Sequence, residues 1–220
     1  MTGVAQHGGR PEAPDALSVA LQLEPLLMQW SVDRNLRVLR VSERCARILL
    51  GCRPSQVEGA AIADVVPEPV VNRVREMLEL VQRTGQPAIG RGVWGGQRYR
   101  TIYMPTENGM TCLTRPAPTN LPVDDAGEES MDSGFVELGE LDRLSPRELE
   151  VLALLGEGLR IKDIAERIGR SYKTASSFRD SLGRKLGIAD RCELVSLARS
   201  RGLEHRHATM PRISRRPAAV

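Results

Sequence analysis

Residues 145–203 read SPRELEVLALLGEGLRIKDIAERIGRSYKTASSFRDSLGRKLGIADRCELVSLARSRGL, and helix start and stop signals recur four times in this stretch. The first start is Ser145-Pro146-Arg147-Glu148, in which serine takes the N-cap position and proline the first helical position. With glutamate three residues after the serine, this is a capping box, which satisfies backbone N–H groups that a helix start leaves unpaired. A helix is therefore predicted from Ser145 until Gly156 and Gly158 end it.

Three more helices are predicted at short intervals. The second follows Arg160, a poor cap, and ends at Gly169, the third runs from Ser171 to Gly187, and the fourth from Asp190 to Gly202. The apolar residues of the third recur at helical spacing and fall on one face: Ala175, Phe178, Leu182 and Leu186. Because each helix has only one apolar face, the four are expected to pack together into a compact bundle.

The second and third helices, joined by a tight link at Gly169-Arg170, have the layout of a helix-turn-helix. The stretch resembles the LuxR-type helix-turn-helix domain through an ordered series of residues: Leu144 to Glu148, Val151-Leu152, Gly158, Lys162 to Ala165, Lys173-Thr174, Arg184 to Gly187, and Arg191. The resemblance implies an all-α, four-helix DNA-binding domain over residues 143–203. It implies a transcription regulator that binds double-stranded promoter DNA as a homodimer, with RNA polymerase as a further partner.

In that family the third helix enters the major groove, and the resemblance implies base-facing positions at Ser176, Ser177 and Asp180, with Lys173 and Thr174 near the DNA backbone. Serine reads base edges less selectively than a bidentate arginine does, and a carboxylate near phosphate is also repelled. We therefore expect affinity to come mainly from phosphate contacts of six cations: Lys162, Arg170, Lys173, Arg179, Arg184 and Lys185. The alternative is that these cations only solvate the bundle surface.

The fourth helix is the pairing surface that the resemblance implies, through Leu194, Val195 and Leu197. The alternative is that these residues complete the core of the bundle. Two copies of the chain would then bind two half-sites of a promoter.

Residues 117–142 are predicted to be an acidic, flexible linker. Eight Asp and Glu residues lie between Asp124 and Asp142 without any Lys or Arg, and Pro, Gly and Ser are frequent around them. A second interpretation is that this segment folds back onto the basic face and competes with DNA. The basic tail, residues 204–220, is predicted to be disordered, with contact to DNA phosphate as its alternative role. The formal net charge of +3 is by itself too small to imply a nucleic-acid partner.

Residues 18–116 have a different pattern, with strands at 26–32, 36–41, 88–94, 98–104 and 110–114, and helices between the second and third strands. This order resembles the PAS domain. The residues that carry the resemblance are Asp33, Val41 to Glu43, Leu49 to Gly51, Val57 to Gly59, and Ile62 to Val65. It implies an α+β domain with a five-stranded antiparallel sheet and helices on one face. Such a domain would sense a signal or dimerise, and so modulate promoter binding. The hairpin turns at Gly95-Gly96 and Asn108-Gly109 argue against a receiver domain, which needs parallel strands.

No cofactor is predicted. All three histidines lie outside residues 18–116, which removes the usual haem ligand, and aromatic residues make up only 3% of the chain. The cysteines Cys45, Cys52 and Cys112 are interpreted as small buried apolar groups, and any small-molecule ligand is left unidentified. The chain lacks a phosphate loop, a paired-histidine metal motif and a nucleophile elbow, so no enzymatic activity is predicted.

The overall expectation is a cytoplasmic regulator without a membrane segment. Two competing functions stay open at this point. One is a PAS-based protein-interaction module whose helical domain has a weakened DNA-reading helix. The other is a cofactor-based redox or light sensor.

Overall fold

The computed structural model describes residues 24, 26–118 and 130–215. The strands are β1 (Met28–Asp33), β2 (Val38–Val41), β3 (Ala88–Trp94), β4 (Gln97–Thr106), β5 (Gly109–Pro116) and β6 (Ser130–Val136). The helices are α1 (Glu43–Cys45), α2 (Ile62–Val65), α3 (Glu68–Thr84), α4 (Pro146–Gly156), α5 (Ile161–Arg167), α6 (Tyr172–Leu186) and α7 (Arg191–Arg201). A π-helical turn continues α1 over Ala46–Leu50, and 3-10 turns occupy Pro54–Gln56, Gly139–Arg143 and His205–Ala208. None of the described helices combines the length and the apolar character that a membrane span requires.

The strands form one sheet in the order β2-β1-β5-β4-β3-β6. The first five are antiparallel to their neighbours, and β6 pairs with β3 in parallel. A mixed sheet followed by a helical domain confirms the predicted α+β class. The sixth strand does not agree with the prediction of five strands, and the flexible linker predicted for residues 117–142 is wrong where β6 and the turn Gly139–Arg143 form.

Helix α3 fills one face of the sheet. Its apolar residues recur at helical spacing and are buried, namely Val71, Val74, Met77, Leu78 and Val81. They pack with Val32, Tyr103, Met110 and Cys112 of the sheet. Cys45 and Cys112 are buried, as predicted, whereas Cys52 is only partly buried. We call β1–β6 with α1–α3 the sheet domain.

We call α4–α7 the helical domain, and its helices begin where the caps predict. The Ser145 hydroxyl accepts from the Glu148 N–H at 3.3 Å, and the Glu148 carboxylate accepts from the Ser145 N–H at 2.7 Å. Asp190 caps α7 by accepting from the Glu193 N–H at 3.0 Å. At Gly156 a Cβ would lie 2.8 Å from that of Ala198, so this glycine lets α4 and α7 approach closely.

The helical domain also packs on the sheet. Val93 of β3 and Val136 of β6 belong to the same buried apolar cluster as the leucines of α4. Residues 90–94 of the same strand, Val93 included, also line a cavity inside the sheet domain. The end of the sheet at β3 and β6 therefore contacts helices of both domains.

Residues 204–215 lie along this junction, so the disorder predicted for the tail is wrong for them. The Val136 N–H donates to the carbonyl of Pro211, and the Ile213 N–H donates to the carbonyl of Val136, both at 2.9 Å. Backbone hydrogen bonds of this kind tie the tail to β6 and could not be inferred from its basic composition. Residues 216–220 lie outside the described part of the chain.

In the described part of the acidic segment, residues 130–142, three acidic side chains contact the tail. Ion pairs join tail arginines to acidic residues of the former linker: Arg206 to Asp132, Arg212 to Asp142, and Arg215 to Glu137. Of the described acidic residues in this segment, none has an ion pair with α5 or α6. For Asp132, Glu137 and Asp142 the structure therefore contradicts the interpretation that the acidic segment folds back onto the DNA-binding face. Asp124, Asp125, Glu128 and Glu129 lie outside the described residues.

Candidate nucleic-acid interface

A four-residue turn connects α5 to α6. Gly169 has a φ of +63°, a conformation that favours glycine, and the Arg170 N–H donates to the carbonyl of Ala165 at 2.9 Å. Ser171 then caps α6, because its hydroxyl accepts from the Thr174 N–H at 3.2 Å. At the start of α5, where Arg160 is a poor cap, Asp163 accepts from the Arg160 N–H at 3.2 Å instead. The predicted helix-turn-helix layout is present.

Helix α6 has an apolar face and an opposite polar face. Ala175 and Leu182 are fully buried, and Phe178 and Leu186 are partly buried against the same core. Four exposed residues at spacings of four, three and four form what we call the exposed stripe: Lys173, Ser177, Asp180 and Arg184. All four are among the residues predicted to bind DNA, and the helix presents them together.

Two other predicted DNA-contacting residues of α6 are less accessible, namely Ser176, predicted to face the bases, and Thr174, predicted to lie near the DNA backbone. Ser176 and Thr174 are partly buried, and the Thr174 hydroxyl lies 2.9 Å from that of Ser171 as part of the N-cap. On the stripe itself, the Ser177 hydroxyl donates to the carbonyl of Lys173 at 3.0 Å and so keeps its lone pairs outward. Ser177 and Asp180 are therefore the better placed of the three predicted base-facing residues.

Asp180 forms an ion pair with its neighbour Arg179. Its Oδ1 accepts from Nε and Nη2 of Arg179 at 2.9 and 2.6 Å. An exposed pair of this kind contributes little to stability, but it offsets the repulsion that the carboxylate would meet near phosphate. Arg179, predicted as a phosphate contact, is engaged with its neighbour in the DNA-free chain.

Lys185 also forms an ion pair, in this case with Glu148. Its Nζ lies 2.7 Å from a carboxylate oxygen of Glu148 and 3.2 Å from the carbonyl of Arg143, so it links α6 to the start of α4. Burial alone raises the pKa of Glu148, but hydrogen bonds from Lys185, Ser145 and Ser181 outweigh it and lower that pKa to about 2. The predicted phosphate contact at Lys185 is thus combined with a structural ion pair.

The other predicted cations differ in this respect. Lys162, Arg170, Lys173 and Arg184 are exposed, and within the described residues none of them is paired with a carboxylate. Lys162 lies on α5, Arg170 in the turn, and Lys173 and Arg184 on α6, so the helix-turn-helix has a positive surface. This is the arrangement that phosphate contacts require.

On α7, the predicted pairing residues divide into two groups. Leu194 is 1% exposed and lies in the core of the helical domain, so it cannot form a surface with a second copy. Val195 and Leu197 are partly exposed. The interpretation that the fourth helix completes the core is correct for Leu194.

Tyr172 is a residue that the sequence reasoning missed. It is the first residue of α6 and is 63% exposed, which is unusual for a large aromatic side chain. The signal was present in the sequence, because Tyr172 lies off the apolar face defined by Ala175 and Leu182 and has no core position to fill.

Residues 142–198 match the family described as bacterial regulatory proteins, luxR family. The chain is 44% identical over 54 residues to the transcriptional regulatory protein RcsB of Escherichia coli, and 43% identical over 60 residues to the transcription regulator BvgA of Bordetella pertussis. The chain spans about a quarter of the length of these relatives, 25% and 29%. A structure of VqmA from Vibrio cholera with ligand and DNA is similar at 20% identity and a TM-score of 0.47, over 87% of this chain and 90% of that one.

Proposed function

We propose that the chain is a transcription regulator whose C-terminal LuxR-type helix-turn-helix domain binds double-stranded promoter DNA. The observation that carries the proposal is the exposed stripe of α6, which lies beside exposed cations within the segment that matches the luxR family. The major groove of DNA admits an α-helix, and positive charge around that helix favours contacts with the phosphates.

The residues would divide their roles as follows. Lys162, Arg170, Lys173 and Arg184 contact phosphates and supply most of the affinity, and Lys185 and Arg179 add to it at the edge of the surface. Ser177 and Asp180 face the bases, Ser176 is the less exposed of the three base-facing residues, and Thr174 lies near the DNA backbone. The Tyr172 hydroxyl, at the exposed start of α6, contacts a phosphate oxygen.

DNA binding would occur as a homodimer on two half-sites, with Val195 and Leu197 of α7 in the contact between copies. Partly exposed apolar side chains on one helix support this role. Leu197→Lys should then weaken self-association in analytical ultracentrifugation, whereas Ser200→Lys on the same helix, which is exposed, should leave it unchanged.

For the sheet domain we propose a PAS-like sensory role that modulates DNA binding. Five antiparallel strands in the order β2-β1-β5-β4-β3, with α1, α2 and α3 between β2 and β3 in sequence, support it. The sixth strand, β6, leads directly from this sheet to the helical domain. A conformational change in the sheet domain would therefore be transmitted through β6 to the helical domain that binds DNA.

The test measures binding of the full chain to a labelled mixed-sequence duplex by fluorescence anisotropy from about 50 to 300 mM salt. Phosphate contacts by Lys162, Arg170, Lys173 and Arg184 alone should give a slope of log affinity against log salt of about −3.6 per protomer, and added contacts by Lys185 and Arg179 should bring it to about −5.4. A triple charge reversal at Lys162, Lys173 and Arg184 should abolish binding. The matched control reverses three exposed arginines of the sheet domain, Arg47, Arg75 and Arg83, and should retain binding. Absence of binding at low salt would overturn the proposal and favour a protein-interaction module.

A further inference from the structure

The sheet domain contains a cavity of about 170 Å³ between the sheet and α1–α3. Its size is close to that of the cavity of about 150 Å³ that holds one benzene molecule in another protein. Five aromatic side chains line it: Trp30, Trp94, Tyr99, Tyr103 and Phe135. These walls suit a ligand whose apolar part is about one six-membered ring or a short branched chain.

Arg73 of α3 also lines this cavity. Its side chain is only 11% exposed, and its Nη1 lies 3.2 Å from Glu76. Its Nη2 is buried and has no hydrogen-bond partner among the described residues. A buried donor without a protein partner is costly, and a water, an ion or a ligand can complete it.

The charged side chains that line the cavity are cationic. Two arginines, Arg73 and Arg91, are among the described residues that line it, and no Asp or Glu is among them. The hydroxyls of Thr101 and Thr114, which also line it, lie 3.0 Å apart and satisfy one another. The unsatisfied polar group of the site is therefore a guanidinium, whose natural partner is a carboxylate.

We propose that this cavity binds a small monocarboxylate, with the carboxylate on Arg73 and the apolar part against the aromatic walls. The ligand would be the signal of the sensory role proposed above, on which this regulatory part rests. Ser133 and Phe135 of β6 line the cavity, and the next residue, Val136, is buried with the core of the helical domain. An occupant thus contacts the strand that joins the two domains.

The test is isothermal titration of the full chain with benzoate, and with benzyl alcohol as a neutral molecule of similar size. One benzoate molecule should bind per chain. Its affinity should be at least about tenfold higher than that of benzyl alcohol, because the alcohol lacks the charge-assisted hydrogen bond. Arg73→Met should weaken benzoate binding roughly tenfold to a hundredfold. Arg75→Met, an exposed arginine on the same helix, should leave it unchanged, and Val70→Phe, which fills the cavity, should abolish it.

Melting curves without ligand provide the control for folding. Arg73→Met should be at least as stable as Arg75→Met, since it removes a buried unpaired donor; a purely structural arginine would give the opposite order. Failure of benzoate to saturate below about 10 mM, or equal binding by Arg73→Met, would overturn the site. DNA binding by the same samples is measured separately. Benzoate binding without DNA binding would overturn the proposed regulator and leave the carboxylate site standing, whereas DNA binding without benzoate binding would overturn the site alone.

Discussion

Replacing Lys185 by methionine should destabilise the chain as well as weaken its binding to DNA. Lys185 reaches from α6 to Glu148, whose side chain is 5% exposed at the start of α4. The same carboxylate accepts from the Ser145 N–H in the capping box. Without the ammonium group, a buried carboxylate loses its charged partner and keeps only neutral donors.

The size of the effect follows from the pKa of Glu148. The difference between its ordinary value of 4.5 and about 2 corresponds to at most about 3 kcal/mol of stability, supplied by all the groups that bind the carboxylate, and solvent screening lowers this because the Lys185 side chain is 40% exposed. A hydrogen bond to a charged group contributes about 1.5–3 kcal/mol, so loss of Lys185 should remove a large part of that total. Arg184→Met, on the exposed stripe next to it, should change stability by less than about 0.5 kcal/mol.

The pH dependence has a definite sign. Because the pKa of Glu148 is lower in the folded chain, its contribution is fully present above pH 4.5 and is lost as the pH falls towards about 2. In Lys185→Met the pKa of Glu148 should rise, since its charged donor is gone. The variant should therefore be less stable at pH 7 and should lose less stability on acidification.

Urea unfolding of both variants and of the original chain, followed by circular dichroism from pH 7 to about 3, measures these quantities. Equal stability of Lys185→Met and Arg184→Met at pH 7 would refute the reasoning. So would an unchanged slope of stability against pH below 4.5.

Other predictions concern helix α6 and the tail. Lys173→Ala should weaken binding to all duplexes about equally and reduce the salt slope by about 1; a loss confined to one base position would contradict a phosphate contact. Ser177→Ala should change the preferred DNA sites in a selection experiment without changing the salt slope, and an identical preference would show that Ser177 does not read bases. Burial lowers the pKa of His207 to about 4, so stability should fall as the pH drops from 6.5 to about 4. His207→Gln should flatten that fall in urea titrations, and an equally steep fall would count against burial as its cause.

The helical domain could be predicted closely because its signals are local. Ser145, Ser171 and Asp190 each cap a helix through an N–H three residues away, and Gly187 and Gly202 end helices in the left-handed conformation. Such interactions depend only on neighbouring residues, so sequence spacing reveals them. The exposed stripe followed in the same way from the helical period once the buried face was known.

The sixth strand and the ordered tail could not be predicted, because partners far along the chain hold them. Strand β6 has little apolar alternation and pairs in parallel with β3, which lies about forty residues earlier in the sequence. The buried state of Leu194 and the ion pair of Lys185 have the same origin, since both depend on α4. Sequence spacing places Leu194 and Lys185 on helices, but it does not determine whether their side chains face solvent or the core.

The pairing of the acidic segment with the tail changes how the charge of the chain should be interpreted. Arg206, Arg212 and Arg215 are each paired with a carboxylate of residues 130–142, so the described parts of the basic tail and of the acidic segment pair with one another. Those arginines are not free to contact phosphate without breaking these pairs. The positive surface available to DNA is therefore set by α5, α6 and the turn between them. A salt slope between about −3.6 and −5.4 per protomer would agree with the four to six cations there, whereas a slope near about −8 would mean that the tail arginines leave their partners when DNA binds.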